Sequence, residues 1–170
     1  MFYFNYGNHD GLGSAQTKRA IRLGSALNDE WDINTGNVGS GSVAIGFAIP
    51  GYNFEGPKAS GSVSIAIGAG AQAIGDGAVA LFNGTASGSA SVAFNSSTAS
   101  GVSSVAFTGG NATNLNTTAW GGGQSGSESI ASGQNATAAG YGMLAPSFDE
   151  FAFGSFGTIY TPNFVNNIYD

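Results

Sequence analysis

The amino-acid sequence predicts an all-β fold, a solenoid in which a short coil of parallel strands repeats along the chain. Three observations support this prediction: five-residue runs centred on alanine recur, small-residue motifs ending in glycine alternate with them, and the spacing leaves no room for a helix. The chain has 170 residues, which suits one domain, with 29 glycines, no cysteine and only 8% charged residues. A conventional core built from this composition would be small, so we expect another source of stability.

The recurring runs follow the pattern Ser-Val-Ala-Ile-Gly, with small residues first and third and apolar residues second and fourth. The central alanines are separated by steps of 22, 14, 13, 13, 13, 12 and 21 residues. The long first and seventh steps predict loop insertions at Tyr52–Lys58 and Met143–Asp149. The eight runs, of which the last two are degenerate, are Ser42–Gly46, Ser64–Gly68, Ala78–Phe82, Ser91–Asn95, Ser104–Thr108, Thr117–Gly121, Ser129–Gly133 and Glu150–Gly154.

A second motif of small residues ending in glycine lies between the runs, and it predicts a shorter strand. Each unit is then a strand of about five residues, a turn, a shorter strand and a second turn. Two strands and two turns in 13 residues exclude a helix, which needs ten residues or more. The glycines suit corners with positive φ. Examples of this motif are Ala71–Gly75, Thr85–Gly88, Thr98–Gly101 and Ala136–Gly140.

Alternation within each run predicts which side chains share a face. Successive side chains of a strand point to opposite faces, so the apolar second and fourth positions share one face and serine and alanine share the other. Stacked coils then place like residues above like. The predicted columns are Val79, Val92, Val105 and Thr118 beside Leu81, Phe94, Phe107 and Trp120. The alanine and serine face permits close approach of two sheets, which predicts a narrow solenoid that is apolar on one side.

The apolar side needs a cover, because soluble monomers avoid a long exposed apolar stripe. A buried Val, Ile or Phe side chain contributes about 2 kcal/mol. Sister chains carry identical faces, so rotational self-association is the simplest cover, and a homotrimer suits a narrow three-faced coil better than a dimer. The residues predicted to pack in these columns between chains are Val43, Ile45, Ile65, Ile67, Val79, Leu81, Val92, Phe94, Val105, Phe107 and Trp120.

The runs resemble YadA-like head repeats, which occur in trimeric autotransporter adhesins and in bacteriophage fibres. The resemblance rests on Ser-Val-Ala-Ile-Gly followed by x-Ala-x-Gly, and it covers 39–157. It implies a left-handed parallel β-roll of 13–14-residue repeats, an obligate homotrimer and an adhesive or spacer role, and it transfers no binding residue. Residues 1–38 are then an N-terminal cap or attachment segment, and 158–170 a C-terminal cap or connection. For Ala15–Leu27, a short helix and a strand both remain open.

Composition excludes several function classes. Four basic residues are too few to neutralise a nucleic acid, and no disulfide or thiolate metal site is possible without cysteine. No stretch approaches 18 consecutive apolar residues, so we expect no membrane insertion by a helix. The N-terminus has no basic region followed by an apolar stretch, so we expect no signal peptide. No residue is charged between Gly77 and Ser127.

We therefore expect a non-enzymatic trimeric fibre protein of a bacteriophage virion, in a tail or head fibre, that attaches the particle to a host. Its expected partners are further copies of itself, other virion or fibre proteins at its termini, and a glycan or protein of the host surface. One alternative is the head of a bacterial trimeric autotransporter adhesin at the outer-membrane surface, binding host matrix or cells. Another is a purely structural filament subunit.

Motifs that suggest catalysis or cofactors have simpler explanations, so we expect no catalytic, cofactor-binding or metal-binding residue. Gly68–Ala73 matches G-x-G-x-x-A, but a strand rather than a helix is predicted next and no acid lies about 20 residues on. The only histidine, His9, has no cysteine or nucleophile elbow to accompany it. Asp149 and Glu150 are adjacent, so in a strand they would point to opposite faces rather than into one cleft.

Three further groups of polar residues do not define a site. The acidic cluster of Asp29, Glu30, Asp32 and Asn34 lacks the glycine and glutamate spacing of a calcium loop. Lys18, Arg19 and Arg22 form the one basic cluster, which is either solvated or in contact with an anionic partner or a neighbouring subunit. Asparagine in an Asn-x-Ser/Thr triplet occurs at Asn83, Asn95, Asn111, Asn116 and Asn135, which is expected by chance in this composition.

Overall fold

The computed structural model describes residues 2–5, 20–27, 31, 36–51, 55–122 and 126–157. These residues form seventeen strands and no helix, so the predicted all-β class is confirmed. The strands are β1 Phe2–Asn5, β2 Ala20–Ser25, β3 Val43–Phe47, β4 Lys58–Ala59, β5 Ile65–Ile67, β6 Gln72–Ala73, β7 Val79–Leu81, β8 Thr85–Ala86, β9 Val92–Phe94, β10 Thr98–Ala99, β11 Val105–Phe107, β12 Asn111–Ala112, β13 Thr118–Trp120, β14 Ile130–Ala131, β15 Thr137–Tyr141, β16 Leu144–Ala145 and β17 Phe151–Ser155.

Two sheets face each other across the core. The first sheet has ten strands in the order β1-β2-β3-β5-β7-β9-β11-β13-β15-β17, and the second has seven in the order β16-β14-β12-β10-β8-β6-β4. From β3 onward the chain alternates between the two, placing a longer strand in the first sheet and a shorter one in the second. Every pair is parallel except β1 with β2. This alternation is the winding of a β-roll.

The register of the first sheet stacks like residues, as the sequence predicted. Ala93 pairs with Ala80 on one side and with Ala106 on the other. The same pairings align Val92 with Val105 and Phe94 with Phe107. Each step advances the chain by 13 residues, so every residue of the central coils lies above its counterpart. The predicted columns are therefore present, from Val79 and Leu81 to Thr118 and Trp120.

The interior is filled almost entirely by alanine. The inward residues of both sheets are fully buried, including Ala80 and Ala93 in the first sheet and Ala86 and Ala99 in the second. Three buried serines before strands, Ser42, Ser64 and Ser104, satisfy their hydroxyls locally, each Oγ donating to the backbone carbonyl three residues earlier, whereas Ser91 Oγ has no partner among the described residues. Because most inward side chains of the central coils are single methyl or hydroxymethyl groups, the sheets approach closely there and leave no room for a larger side chain.

A column of glycines at one corner sets the spacing between successive coils. A Cβ added to Gly88 would lie 2.0 Å from the carbonyl oxygen of Gly101, and one added to Gly75 would lie 2.1 Å from that of Gly88. Real Cβ atoms do not approach oxygen this closely. These positions are therefore occupied by glycine because the next coil leaves no volume for a side chain.

The predicted assignment of the seventh repeat was wrong. Ile130–Ala131 pairs with β12 and β16 in the second sheet, whereas Thr137–Tyr141 pairs with β13 and β17 in the first. The extra residues therefore lie between Trp120 and Ile130, and not at Met143–Asp149, where β16 forms. Both kinds of strand carry alanine inward between larger outward residues. Because Ile130 is apolar, this short strand of the second sheet resembled a longer strand of the first sheet.

The N-terminal segment already contributes to the roll. Ala20–Ser25 is a strand, which decides between the two open alternatives for this part of Ala15–Leu27, and it pairs in parallel with β3. The antiparallel β1 then covers the outer edge of β2. The first predicted insertion lies between Phe47, the end of β3, and Lys58, the start of β4, with residues 52–54 outside the description. Residues 158–170 also lie outside it.

Candidate functional surface

The large apolar side chains lie on the outside of the roll. Alanine occupies the inward positions of the first sheet, so the valine, isoleucine, leucine and phenylalanine residues of the same strands point away from the core. They are half-buried, because each is covered only by its counterparts in the neighbouring coils. We call this surface the apolar face, and it consists of Val43, Ile45, Ile65, Ile67, Val79, Leu81, Val92, Phe94, Val105, Phe107 and Trp120.

Aromatic residues stack along one column of the apolar face. The rings of Phe94 and Phe107 are parallel, with centroids 5.0 Å apart and planes inclined by 8°. Trp120 continues the column edge-on to Phe107 at 6.0 Å and 87°. Such pairs are worth about 0.5–1.5 kcal/mol beyond the area they bury. The register of the coils therefore holds a rigid aromatic column outside the core, and Trp120 at its end remains 52% exposed.

The last described coil carries highly exposed aromatic side chains. Phe151 and Phe153 occupy the outward positions of β17 and are 72% and 77% exposed. No described strand pairs with the outer edge of β17, so nothing in the described residues covers these rings on that side. Tyr141 and Phe156 pack edge-to-face nearby at 5.1 Å. The apolar face thus continues towards the C-terminal end of the roll.

The outward side of the second sheet has a different chemistry. Its central column consists of Gln72, Thr85, Thr98 and Asn111, all half-buried. None of these side chains is charged, and Gly77–Ser127 carries no charge at all. In the central coils one side is therefore apolar and the other is polar and uncharged, whereas the ends of the second column hold Lys58, Ile130 and Leu144.

The turn before each long strand of the first sheet from β3 onward holds a residue with positive φ, in the left-handed backbone region, and these residues form a column along the roll that we call the turn column. Val63, Ala90 and Asn116 occupy it with φ of 56°, 54° and 55°. Asparagine tolerates this conformation, whereas a β-branched valine does so only with strain. Towards the C-terminal end the column becomes a polar ladder, in which Asn116 Nδ2 donates to Asn135 Oδ1 at 3.2 Å and Asn135 Nδ2 donates to Asp149 Oδ1 at 2.9 Å.

Arg22 is buried in the roll and does not lie on a solvated surface. It pairs in register with Ala44, so a guanidinium closes the N-terminal end of the alanine core. Its Nη2 donates to Ser42 Oγ at 2.9 Å and to the Ala59 carbonyl at 3.2 Å, while Nη1 donates to the carbonyls of Ile21 and Ser42. Nε has no partner in the described part of the chain. Burial lowers the pKa of Arg22 to about 10.

The other motifs singled out in the sequence do not assemble into a site among the described residues. Gly68–Ala73 is a turn followed by β6, without the helix that a dinucleotide fingerprint requires. Asp149 accepts from Asn135, whereas Glu150 Oε2 accepts from the backbone N–H of Ser147 at 2.8 Å. No group of three or more potential metal ligands occurs in the described ranges. Outside the description lie His9, Lys18, Arg19, Asp29, Glu30, Asp32 and Asn34.

The asparagines of the Asn-x-Ser/Thr triplets differ in accessibility. Asn95, Asn116 and Asn135 are exposed, and Asn83 and Asn111 are half-buried. The side chains of Asn116 and Asn135 already belong to the polar ladder. In the part of the chain that the structure covers, no helix has the length and apolar character needed to cross a membrane.

Sequence interpretation missed two features of this surface. Arg22 was grouped with its basic neighbours, although the alternation of β2 would have placed it inward. Phe82, with φ of 47°, and Phe47 are exposed beside the apolar face, and no repeat position predicts a phenylalanine there. No family model, curated protein or solved structure matches this chain.

Proposed function

We propose that this chain is a segment of a homotrimeric β-roll fibre whose copies cover one another's apolar faces. The observation that carries the proposal is the position of the large side chains: alanine fills the core, and valine, isoleucine, leucine and phenylalanine lie outside it. An uninterrupted apolar stripe on a soluble protein marks an interaction surface. A second copy carries the matching stripe, and rotational symmetry lets identical faces meet.

A three-fold arrangement suits the shape of the coil. Each central coil has one apolar side, one polar uncharged side and turn edges, so three copies can direct their apolar sides towards a common axis and keep the polar sides in water. The aromatic column of Phe94, Phe107 and Trp120 would then lie inside the assembly, where the other copies would bury its exposed surface. The resemblance to YadA-like head repeats supports the same arrangement and a left-handed coil.

Light scattering combined with sedimentation velocity on the purified chain tests the proposal. We expect three times the monomer mass of 16.9 kDa. Phe94→Asp should disrupt the assembly, because it would bury a carboxylate without a partner in the interface. Thr98→Asp is the matched control, since it lies in the same coil on the outward side of the second sheet and should leave the trimer intact. A monomeric wild-type chain, or equal effects of the two variants, would refute the trimer.

We further propose that the fibre belongs to a bacteriophage particle and attaches it to a host surface, with no catalytic residue, cofactor or metal. In the trimer, the polar uncharged sides of the second sheets would face outward over the central coils and be available to a host glycan or protein. Binding of the labelled trimer to bacterial cells, with inhibition of phage adsorption, supports this role. Binding to animal matrix proteins alone would favour an adhesin, and the absence of any binding a structural filament.

A further inference from the structure

Phe82 combines backbone strain with solvent exposure. It follows Leu81, a member of the apolar face, and its φ of 47° lies in the left-handed region, where a bulky residue is a genuine outlier. The equivalent positions of the neighbouring coils hold Gly68 and Asn95, which tolerate positive φ. The Phe82 side chain is nevertheless 64% exposed. Within one chain, the ring therefore gains little burial in return for the strain.

The ring lies at the border of the apolar face. A Cβ built on Gly68 would be 3.1 Å from Phe82 Cδ1, so the ring covers that glycine in the preceding coil. Phe47 extends β3 at the same end of the strands and is also exposed on the outward side. Both phenylalanines therefore widen the apolar face at one edge, between the outward side of the first sheet and the turn that leads to the second.

The size of the apolar face shows why a wider contact is needed. The six strands that carry the apolar face, β3, β5, β7, β9, β11 and β13, span about 24 Å at a spacing of about 4.8 Å, and strands of three to five residues are about 10–17 Å wide. The projected area is then about 300 Å², whereas a stable interface buries about 800 Å² on each partner. An aromatic side chain contributes about 150–250 Å² when buried. Two phenylalanines at the edge bring the area close to that of a stable interface.

We infer that Phe82 is an intersubunit anchor, whose ring packs against the adjacent copy of this chain at the border of the apolar face. This inference rests on the proposed trimer and names a residue that crosses between its copies. Exposed strain is retained where another requirement determines the conformation. Here that requirement is the contact with the second copy, which buries the ring that a single chain leaves in water.

Two asparagine variants of the full chain test this role, because strain relief and interface loss act in opposite directions. Val63 is the matched control: it is 70% exposed, has φ of 56° and lies in the opposite turn column. Val63→Asn should raise the melting temperature by about 2–4 °C and leave assembly unchanged. Phe82→Asn relieves similar strain but should shift dissociation of the trimer, measured in urea at several protein concentrations, to about tenfold higher protein concentration or more.

The outcomes separate this inference from the proposed function. If Phe82→Asn melts higher and dissociates like wild type, Phe82 is an ordinary turn residue and the inference fails while the trimer stands. If the wild-type chain is monomeric, the proposed function fails first. A second measurement uses the absence of cysteine. The thiol of Phe82→Cys should react with a maleimide about tenfold more slowly than that of Val63→Cys in the assembled protein and equally fast in urea, and equal rates in both conditions would overturn the inference.

Discussion

Replacing Gly88 with alanine should destabilise the roll far more than a surface mutation, although it adds one methyl group. Gly88 begins a turn between β8 and β9, and the added Cβ would lie 2.0 Å from the Gly101 carbonyl oxygen and 2.5 Å from its carbon. An ordinary contact would be at least 3.4 Å. The next coil would therefore have to move by more than 1 Å, and the hydrogen bonds between the coils hold it in place.

The cost follows from the bonds that such a shift breaks. Ser87 N–H and Gly88 N–H both donate to the Ala99 carbonyl, at 2.9 and 3.3 Å. A buried donor or acceptor left without a partner costs about 1–3 kcal/mol, and overpacking by itself costs about 1–3 kcal/mol. We therefore expect Gly88→Ala to reduce the free energy of unfolding by about 4 kcal/mol, a large fraction of the stability of a single domain.

Gly77→Ala provides the matched control. Gly77 also lies in a turn, but the nearest atom to an added Cβ is 4.0 Å away, and the strain comes only from its φ of 67°. Ala90 occupies the same turn position one coil later with φ of 54°, so the fold accepts alanine there. We expect a loss of about 1 kcal/mol. Urea unfolding followed by far-ultraviolet circular dichroism, at one protein concentration, measures both; similar losses would refute the steric account of the glycine column.

Three further substitutions test the interior and the polar ladder. Ala93→Leu should cost about 3 kcal/mol or more in urea unfolding, because Ala93 is fully buried between close sheets. Arg22→Met should raise the free energy of unfolding by about 1–2 kcal/mol at pH 7, since the desolvation cost is fully present below the folded pKa of about 10 and disappears only as pH rises towards 12.5; a lower urea midpoint would contradict this. Asn135→Asp places a second carboxylate beside Asp149, 2.9 Å away in the wild-type contact, so it should lower the melting temperature at pH 7 and have little effect near pH 3; a pH-independent loss would contradict it.

The Arg22→Met prediction depends on the other partners of the arginine's acceptors. The Ser42 carbonyl also accepts from the Ile21 N–H at 2.9 Å, and the Ala59 carbonyl from the Gly39 N–H at 2.9 Å. Ser42 Oγ donates to the Gly39 carbonyl at 2.7 Å. Removing the guanidinium therefore leaves these groups bonded, while an unpaired Nε and a desolvated charge disappear together. An apolar side chain of similar length keeps the end of the core filled.

The repeat predicted most of the fold because its two signals agree. In strands such as Val79–Leu81 and Val92–Phe94, alternation determines which side chains point outward, and the 13-residue step determines which coils stack. Both are local properties of the sequence, so the columns of the apolar face could be derived before the structure. The same repetition located the glycine corners, but the predicted reason for them was wrong: Gly75, Gly88 and Gly101 do not have positive φ, and glycine is required there because the next coil leaves no room for a Cβ.

What could not be predicted lies where the pattern is ambiguous or broken. Ile130–Ala131 and Thr137–Ala138 both place an inward alanine beside a larger outward residue, and only the pairing partners show which sheet each joins. Arg22 occupies an alanine position at the end of the core, where the described residues contain no preceding coil that would restrict the volume. Phe82 adopts a backbone conformation that its residue type disfavours, so residue preferences gave no signal for it.

The inward and outward side chains along each alanine ladder have different roles. The inward ones determine the fold, and in the proposed trimer the outward ones form the contacts between copies. In the central coils the fully buried alanines leave no room for larger residues, so the interior fixes the distance between the sheets but contributes little apolar burial per residue. Outside, the large side chains that could supply that burial are available only to another molecule. A chain arranged in this way specifies its coil by steric exclusion and by backbone hydrogen bonds between coils. In the proposed trimer, the burial of these side chains is gained on association, which is why we propose contacts between copies for the apolar face and contacts with other molecules for the polar side.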